Sequence, residues 1–381
     1  MVILSLLVLT TTACGGGGGG SSVTAGTTPP VAGASPTPTP LPAPQQVQII
    51  RTNLAEPGNI LADASVGSGG QLYFTDFAAN NVTGLNVATG AGVTFTPAGN
   101  PSVFDIAQDA LNVYVTFNQG QNLVGQIPKP FASNSYDTYI VDGSLDSSAW
   151  PPCLQSTPFA SLCHAVPSGV APAFVPGKVY FACGNGIGSV SSTGGAYTVL
   201  YNAQGNTCTN NAFYTMATDS GGVYLALWGA AKTTIQYITT TGSVQGSVGG
   251  FGTIYALVPG VPNTTGGGAL FFIDATSSTL YQVRIVGNTG GTAPIALAQG
   301  VGSPIHARSL AVDANFVYFV TAGAIAKVAI NGTGGSSTPV TIVTAANAAN
   351  PVGIAVDATT IYWTAFGNGV GSGSIRSVPK S

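Results

Sequence analysis

Few side chains in this sequence can do ionic or nucleophilic chemistry, so each can be weighed individually. There are nine Lys and Arg, twelve Asp and Glu, two His and five Cys in 381 residues. Asp63 and Asp105 fall at matching places in two successive segments of similar pattern. Two carboxylates brought together there would offer oxygen ligands to a hard cation; kept apart, they would bond to backbone amides at strand ends. His306 stands two residues before Arg308, and Tyr214 and Tyr255 occupy comparable places in other segments. Together these six residues are the candidates for a polar binding site. His164 adjoins Cys163, and neither histidine has a nearby Ser, Cys or acid in a triad-like order. The "CGNGIGSV" stretch imitates a dinucleotide fingerprint but has no helix after it, and the Gly15 to Gly20 run lacks the Lys-Ser/Thr of a phosphate loop.

What positions these residues is a repeat. An apolar residue, an aromatic and a β-prone run recur with the first aromatic at Tyr73, Tyr114, Tyr180, Tyr224, Phe271, Tyr318 and Tyr362, at separations of 41, 66, 44, 47, 47 and 44. Periods of about 40–50 residues are those of propeller blades. Short alternating runs broken by Gly, Asn, Asp and Ser, with no sustained helical period, predict four-stranded antiparallel blades. The fold expected is therefore all-β, a seven-bladed β-propeller over residues 46–381. The long third interval places an insertion at about 142–166. An Asp five residues before the aromatic recurs at Asp109, Asp219, Asp313 and Asp357. Its expected role is in a turn, accepting bonds from backbone amides two residues on.

Aligning the seven units by their aromatics puts Ala62, Phe104, Ala171, Tyr214, Ile254, Arg308 and Val352 in one column at the start of the inner strands. Asp63, Asp105, Pro172, Thr215, Tyr255, Ser309 and Gly353 form the next. On that count Asp63 and Asp105 are neighbours at the channel mouth. The last unit ends 19 residues after Tyr362, while 26 residues separate Val47 from Tyr73. Together they make one period, so "QVQII", Gln46 to Ile50, should complete the final blade and close the ring without a free edge.

Ahead of the repeat, "VILSLLVL" is too short to span a bilayer and has the character of a signal-peptide core. "TTAC" resembles a bacterial lipobox, which implies a signal peptide over 1–13 and lipid attachment at Cys14. Residues 14–45, a glycine run and then "SSVTAGTTPPVAGASPTPTPLPAP", form a tether reaching on the order of 60–90 Å. The expected location is the bacterial cell envelope, as an outer-membrane lipoprotein facing the periplasm or the surface. The other four cysteines are an even set in an exported chain. Of three possible connectivities the local one, Cys153–Cys163 with Cys183–Cys208, is preferred. Charged residues make up 6% of the chain and the net charge is −3, leaving no basic stripe for nucleic acid.

"PVGIAVDATTIYWT", "LYFTDFAANNVTGLNVATG" and "MATDSGGVYLALWG" resemble the YWTD, NHL and gluconolactonase-like propellers. For the last group the resemblance implies a divalent metal held by Glu, Asn and Asp in the column that contains Val352. No carboxylate or amide occupies that column in this sequence, so no cofactor is expected, and whether a metal binds is left open by Asp63 and Asp105 in the next column. The function expected is a non-catalytic binding or scaffold module, monomeric, for a protein, glycan or small molecule. The alternative is a hydrolase or lyase of the lactonase type, working at the channel mouth.

Overall fold

The computed structural model describes residues 46–63, 70–97, 103–117, 124–132, 138–141, 171–172, 177–183, 186–202, 212–218, 222–228, 232–260, 269–284, 293–302, 308–321, 323–330 and 338–380. Of the residues singled out above, Cys14, Cys153, Cys163, His164, Cys208, Asp219 and His306 lie outside them. Seven four-stranded sheets are formed, every pairing antiparallel.

The innermost strands of blades 1 to 7 are Pro57–Asp63, Val103–Gln108, Ala171–Pro172, Ala212–Thr218, Ile254–Pro259, Leu310–Val312 and Pro351–Val356. Each touches the inner strand of the next blade, and the last touches the first, so the blades form a closed ring. Blade 7 takes its outermost strand from the N-terminal side: Gln48–Leu54 pairs with Gly373–Pro379, with Gln48 opposite Ser377 and Leu54 opposite Gly373. The closing strand thus begins two residues later than the sequence suggests and continues to Leu54, which is buried with Ile60, Phe74, Tyr362 and Ile375.

The repeated aromatic phrase is the second strand of each blade. It has blades packed against both faces, so it is apolar throughout rather than alternating: Leu72–Phe74, Val113–Val115, Leu270–Ile273 and Ile361–Trp363 are almost completely buried. Outer strands such as Gly92–Phe95 alternate between exposed and half-buried positions. The aromatic is usually Tyr because its hydroxyl has a partner. Tyr114, Tyr318 and Tyr362 donate to Asp109, Asp313 and Asp357 at 2.6, 2.8 and 2.8 Å. The other oxygen of each Asp accepts two turn amides, as Asp357 Oδ1 does from Thr359 and Thr360. Burial and then the bond to Asp357 push the Tyr362 hydroxyl up to about 12.

Candidate functional site at the channel mouth

Hydrogen-bond register shows which inner-strand residues are equivalent. The residues opposite the blade aromatics are Leu61, Ala107, Ala171, Ala217, Val258, Ala311 and Ala355. Just before them the ladder is interrupted in five blades, between Pro57 and Ile60, Val103 and Ile106, Phe213 and Thr215, Ile254 and Leu257, and Pro351 and Ile354. Bulges of this kind turn side chains away from the pleat. Among the described residues the two positions inside the interruption are Gly58/Asn59, Phe104/Asp105, Tyr255/Ala256 and Val352/Gly353; in blade 4 it spans Tyr214 alone, next to the paired Thr215, and blade 6 supplies Arg308/Ser309 at the same place.

The two positions do different work. Asn59, Asp105, Thr215, Ala256 and Ser309 are buried, whereas Phe104, Tyr255, Arg308 and Val352 are only half-buried. The buried set ties blade to blade. Asn59 Nδ2 donates to Phe104 O (2.9 Å) and Ser309 Oγ to Val352 O (3.2 Å), each reaching the following blade. A threonine two residues after the aromatic holds the strand from behind: Thr75, Thr116 and Thr364 accept the amides of Asn59, Asp105 and Gly353 at 2.8–3.0 Å. Thr364 also donates to Gly58 O at 2.6 Å, joining blade 7 to blade 1. Glycine is required at 353, where a Cβ would come within 2.7 Å of that same carbonyl.

Arg308 reaches from blade 6 to blade 2, which are not neighbours in the ring, so its side chain crosses the channel. Its Nε and Nη2 face Asp105 Oδ1 and Oδ2 at 3.3 and 3.5 Å, and Nη2 donates to Ile106 O at 2.6 Å. Asp105 is 1% exposed and Arg308 23%. Asp105 Oδ1 also accepts the Ile106 amide (2.8 Å) and Asn59 Nδ2 (3.1 Å). A carboxylate so supplied with donors is held in place, with Oδ1 taken up by three of them and Oδ2 turned to the guanidinium.

The structure separates Asp63 from this cluster. The residue equivalent to Asp105 in blade 1 is Asn59; Asp63 is four residues further on, about 13 Å along an extended strand, and pairs with Gln71. There it forms a buried ion pair with Lys129. Lys129 Nζ also donates to Gln108 Oε1 (3.3 Å) and lies 5.6 Å from the centre of the Tyr73 ring. Gln108 Nε2 completes the knot by donating to Ala62 O at 2.8 Å. Asp63 therefore fastens blade 1 to blade 2 and does not share a cation with Asp105. Tyr255 belongs to the half-buried column with Arg308, one place from the column that counting assigns it. Tyr214 has the register of that column too. Cys183 ends the second strand of blade 3. Asn59 and the three threonines were missed by sequence reasoning, although Tyr-x-Thr in units 1, 2 and 7 was a readable signal for the latter. Among the described residues no three His, Cys, Asp or Glu gather into a metal-holding group.

No protein-family model matches the sequence, and no curated protein matches it. Solved structures do match. A streptogramin B lyase aligns with a TM-score of 0.56 and 16% identity, over 88% of this chain and 98% of the lyase. A catalytically inactive virginiamycin B lyase from Staphylococcus aureus, with quinupristin, aligns at 0.58 and 16%, over 88% and 99%. The major Malassezia sympodialis allergen Mala s 1 aligns at 0.52 and 11%, over 89% and 96%. At these identities the likeness is one of fold, a seven-bladed β-propeller.

Proposed function

We propose that this protein is a non-catalytic binding module of the bacterial cell envelope, held to the membrane by a lipid on Cys14 and engaging its ligand at the channel mouth. The observation that carries the reading is the state of Asp105. It is the carboxylate in the corrected inner-strand columns, and its oxygens take donors from Ile106, Asn59 and Arg308. An enzyme using this carboxylate as acid, base or metal ligand would need it free to change its protonation or ligation during the reaction, and this one is fixed by a cation that crosses the channel. The tether composition suits an extracytoplasmic compartment, in which Cys153–Cys163 and Cys183–Cys208 would be free to pair.

The lyase-like fold supports the other reading, that of an enzyme at the same mouth. The two separate in a turnover assay. The protein is incubated with small lactones, aryl esters and quinupristin, with and without Mg²⁺, Ca²⁺ or Mn²⁺, and products are followed by mass spectrometry. The binding reading expects product no faster than in buffer alone, for the natural chain and the Asp105→Asn variant alike. Cation-dependent turnover that falls in that variant would overturn it.

A further inference from the structure

We propose that the channel mouth binds a neutral saccharide, an assignment that rests on the binding reading above and gives it a ligand class. Side chains of the half-buried column project into the channel, as Arg308 shows by crossing it. Phe104 and Tyr255 share that column and are half-exposed. In blade 1 the column holds Gly58, and the Phe77 ring occupies the space a side chain would take there: a Cβ on Gly58 would lie 2.1 Å from Phe77 Cε2. Three aromatic rings therefore border the mouth.

Charge and hydrogen bonding narrow the ligand further. The cation and anion of this cluster, Arg308 and Asp105, are paired with each other, so a charged ligand meets no net opposite charge. That disfavours phosphorylated or acidic ligands, which need an excess of cationic donors. Asn59 is 3% exposed and spends both amide hydrogens on Phe104 O and Asp105, while its Oδ1 has no donor among the described residues. A buried acceptor left unpaired costs about 1–3 kcal/mol, and a ligand hydroxyl would recover it. A pyranose supplies what such a place accepts: an apolar C–H face for the rings and hydroxyls that donate to Asn59 and accept beside the guanidinium. An oligopeptide shares some of this chemistry but lacks the apolar face that every sugar unit repeats.

The test is calorimetric titration of the full chain with maltohexaose, cellohexaose and chitohexaose, set against hexagalacturonate and a neutral hexapeptide. We expect one of the neutral hexasaccharides to bind and to be recovered intact. Phe104→Ala and Tyr255→Ala should each weaken it by about tenfold or more, a loss equal to about 1.4 kcal/mol. Phe104→Trp and Tyr255→Phe, which keep a ring, should stay within about threefold, so a loss of fold in the alanine variants would be exposed by the ring-retaining pair. Binding that all four variants leave unchanged would overturn the placement. Preference for the charged saccharide or the peptide would overturn the ligand class while leaving a binding module in place. Cleavage of the bound sugar would instead overturn the non-catalytic reading on which the proposal rests.

Discussion

Removing the Arg308 guanidinium should destabilise the propeller, and neutralising Asp105 as well should then cost nothing further. Arg308→Met deletes the contacts at 3.3 and 3.5 Å to Asp105 and the 2.6 Å bond to Ile106 O. Asp105, 1% exposed, keeps the Ile106 amide and Asn59 but loses its cation. Breaking a fully buried pair from one side costs about 3–5 kcal/mol. Arg308 is 23% exposed, so water can follow it in, and about 2–3 kcal/mol is the expected loss. Asp105→Asn preserves the acceptor for Ile106 and Asn59 and leaves a partly hydrated guanidinium behind, for about 1–2 kcal/mol. In the double variant neither charge is stranded, so it should be no less stable than Arg308→Met alone, with a coupling of about 1–2 kcal/mol. The assay is urea unfolding of all four proteins at equal m values. Independent sites add to within about 0.5 kcal/mol. A coupling below that limit would refute the cross-channel pair, and with it the argument that Asp105 is committed.

Three further outcomes are expected. A chain starting at Gln46 should melt like the full protein, whereas one starting at Ala55 loses the closing strand and buried Leu54 and should fall by several degrees; equal midpoints would refute the closure. Burial would raise Asp313, but the Lys380 ammonium, the amides of Asn315 and Phe316 and the Tyr318 hydroxyl outweigh it and hold the carboxyl at about 2 instead of the ordinary 3.8. Its stabilising contribution is thus complete above about pH 4 and lost as pH falls towards 2, so Lys380→Met should flatten stability in that window, and an unchanged acid profile in the variant would contradict it. Cys14→Ser should release the protein from the detergent phase when it is expressed with an export leader; two equally soluble forms would dismiss the lipid anchor.

The fold was legible because its signals are redundant. Seven aromatics at a regular period, each forced by burial on both faces of the second strand, survive variation elsewhere. Closure followed because a missing strand at one end and a surplus one at the other are visible in length alone. The turn aspartates were also legible, since Asp five residues before Tyr places one carboxylate oxygen on the turn amides and the other on the hydroxyl.

The site was less legible because it depends on register within a hairpin, and register is erased by a variable turn. Seven residues separate Ala107 from Tyr114 and Ala355 from Tyr362, but Leu61 and Tyr73 are twelve apart and Val258 and Phe271 thirteen. In blade 1 alignment on the aromatic assigns those extra residues to the strand, and in blade 5 it leaves the column one residue out. The turn signals were present, as "SVGSGG" before Gln71 and "VPNTTGGG" before Ala269. Weighing them shifts blade 1 by four residues and replaces Asp63 with Asn59 beside Asp105. That shift changes the chemistry. Two carboxylates would repel and invite a cation, whereas an amide, a carboxylate and a guanidinium satisfy one another and leave an acceptor for a hydroxyl. In a ring of near-identical blades, the length of one turn decides which of these the channel mouth can bind.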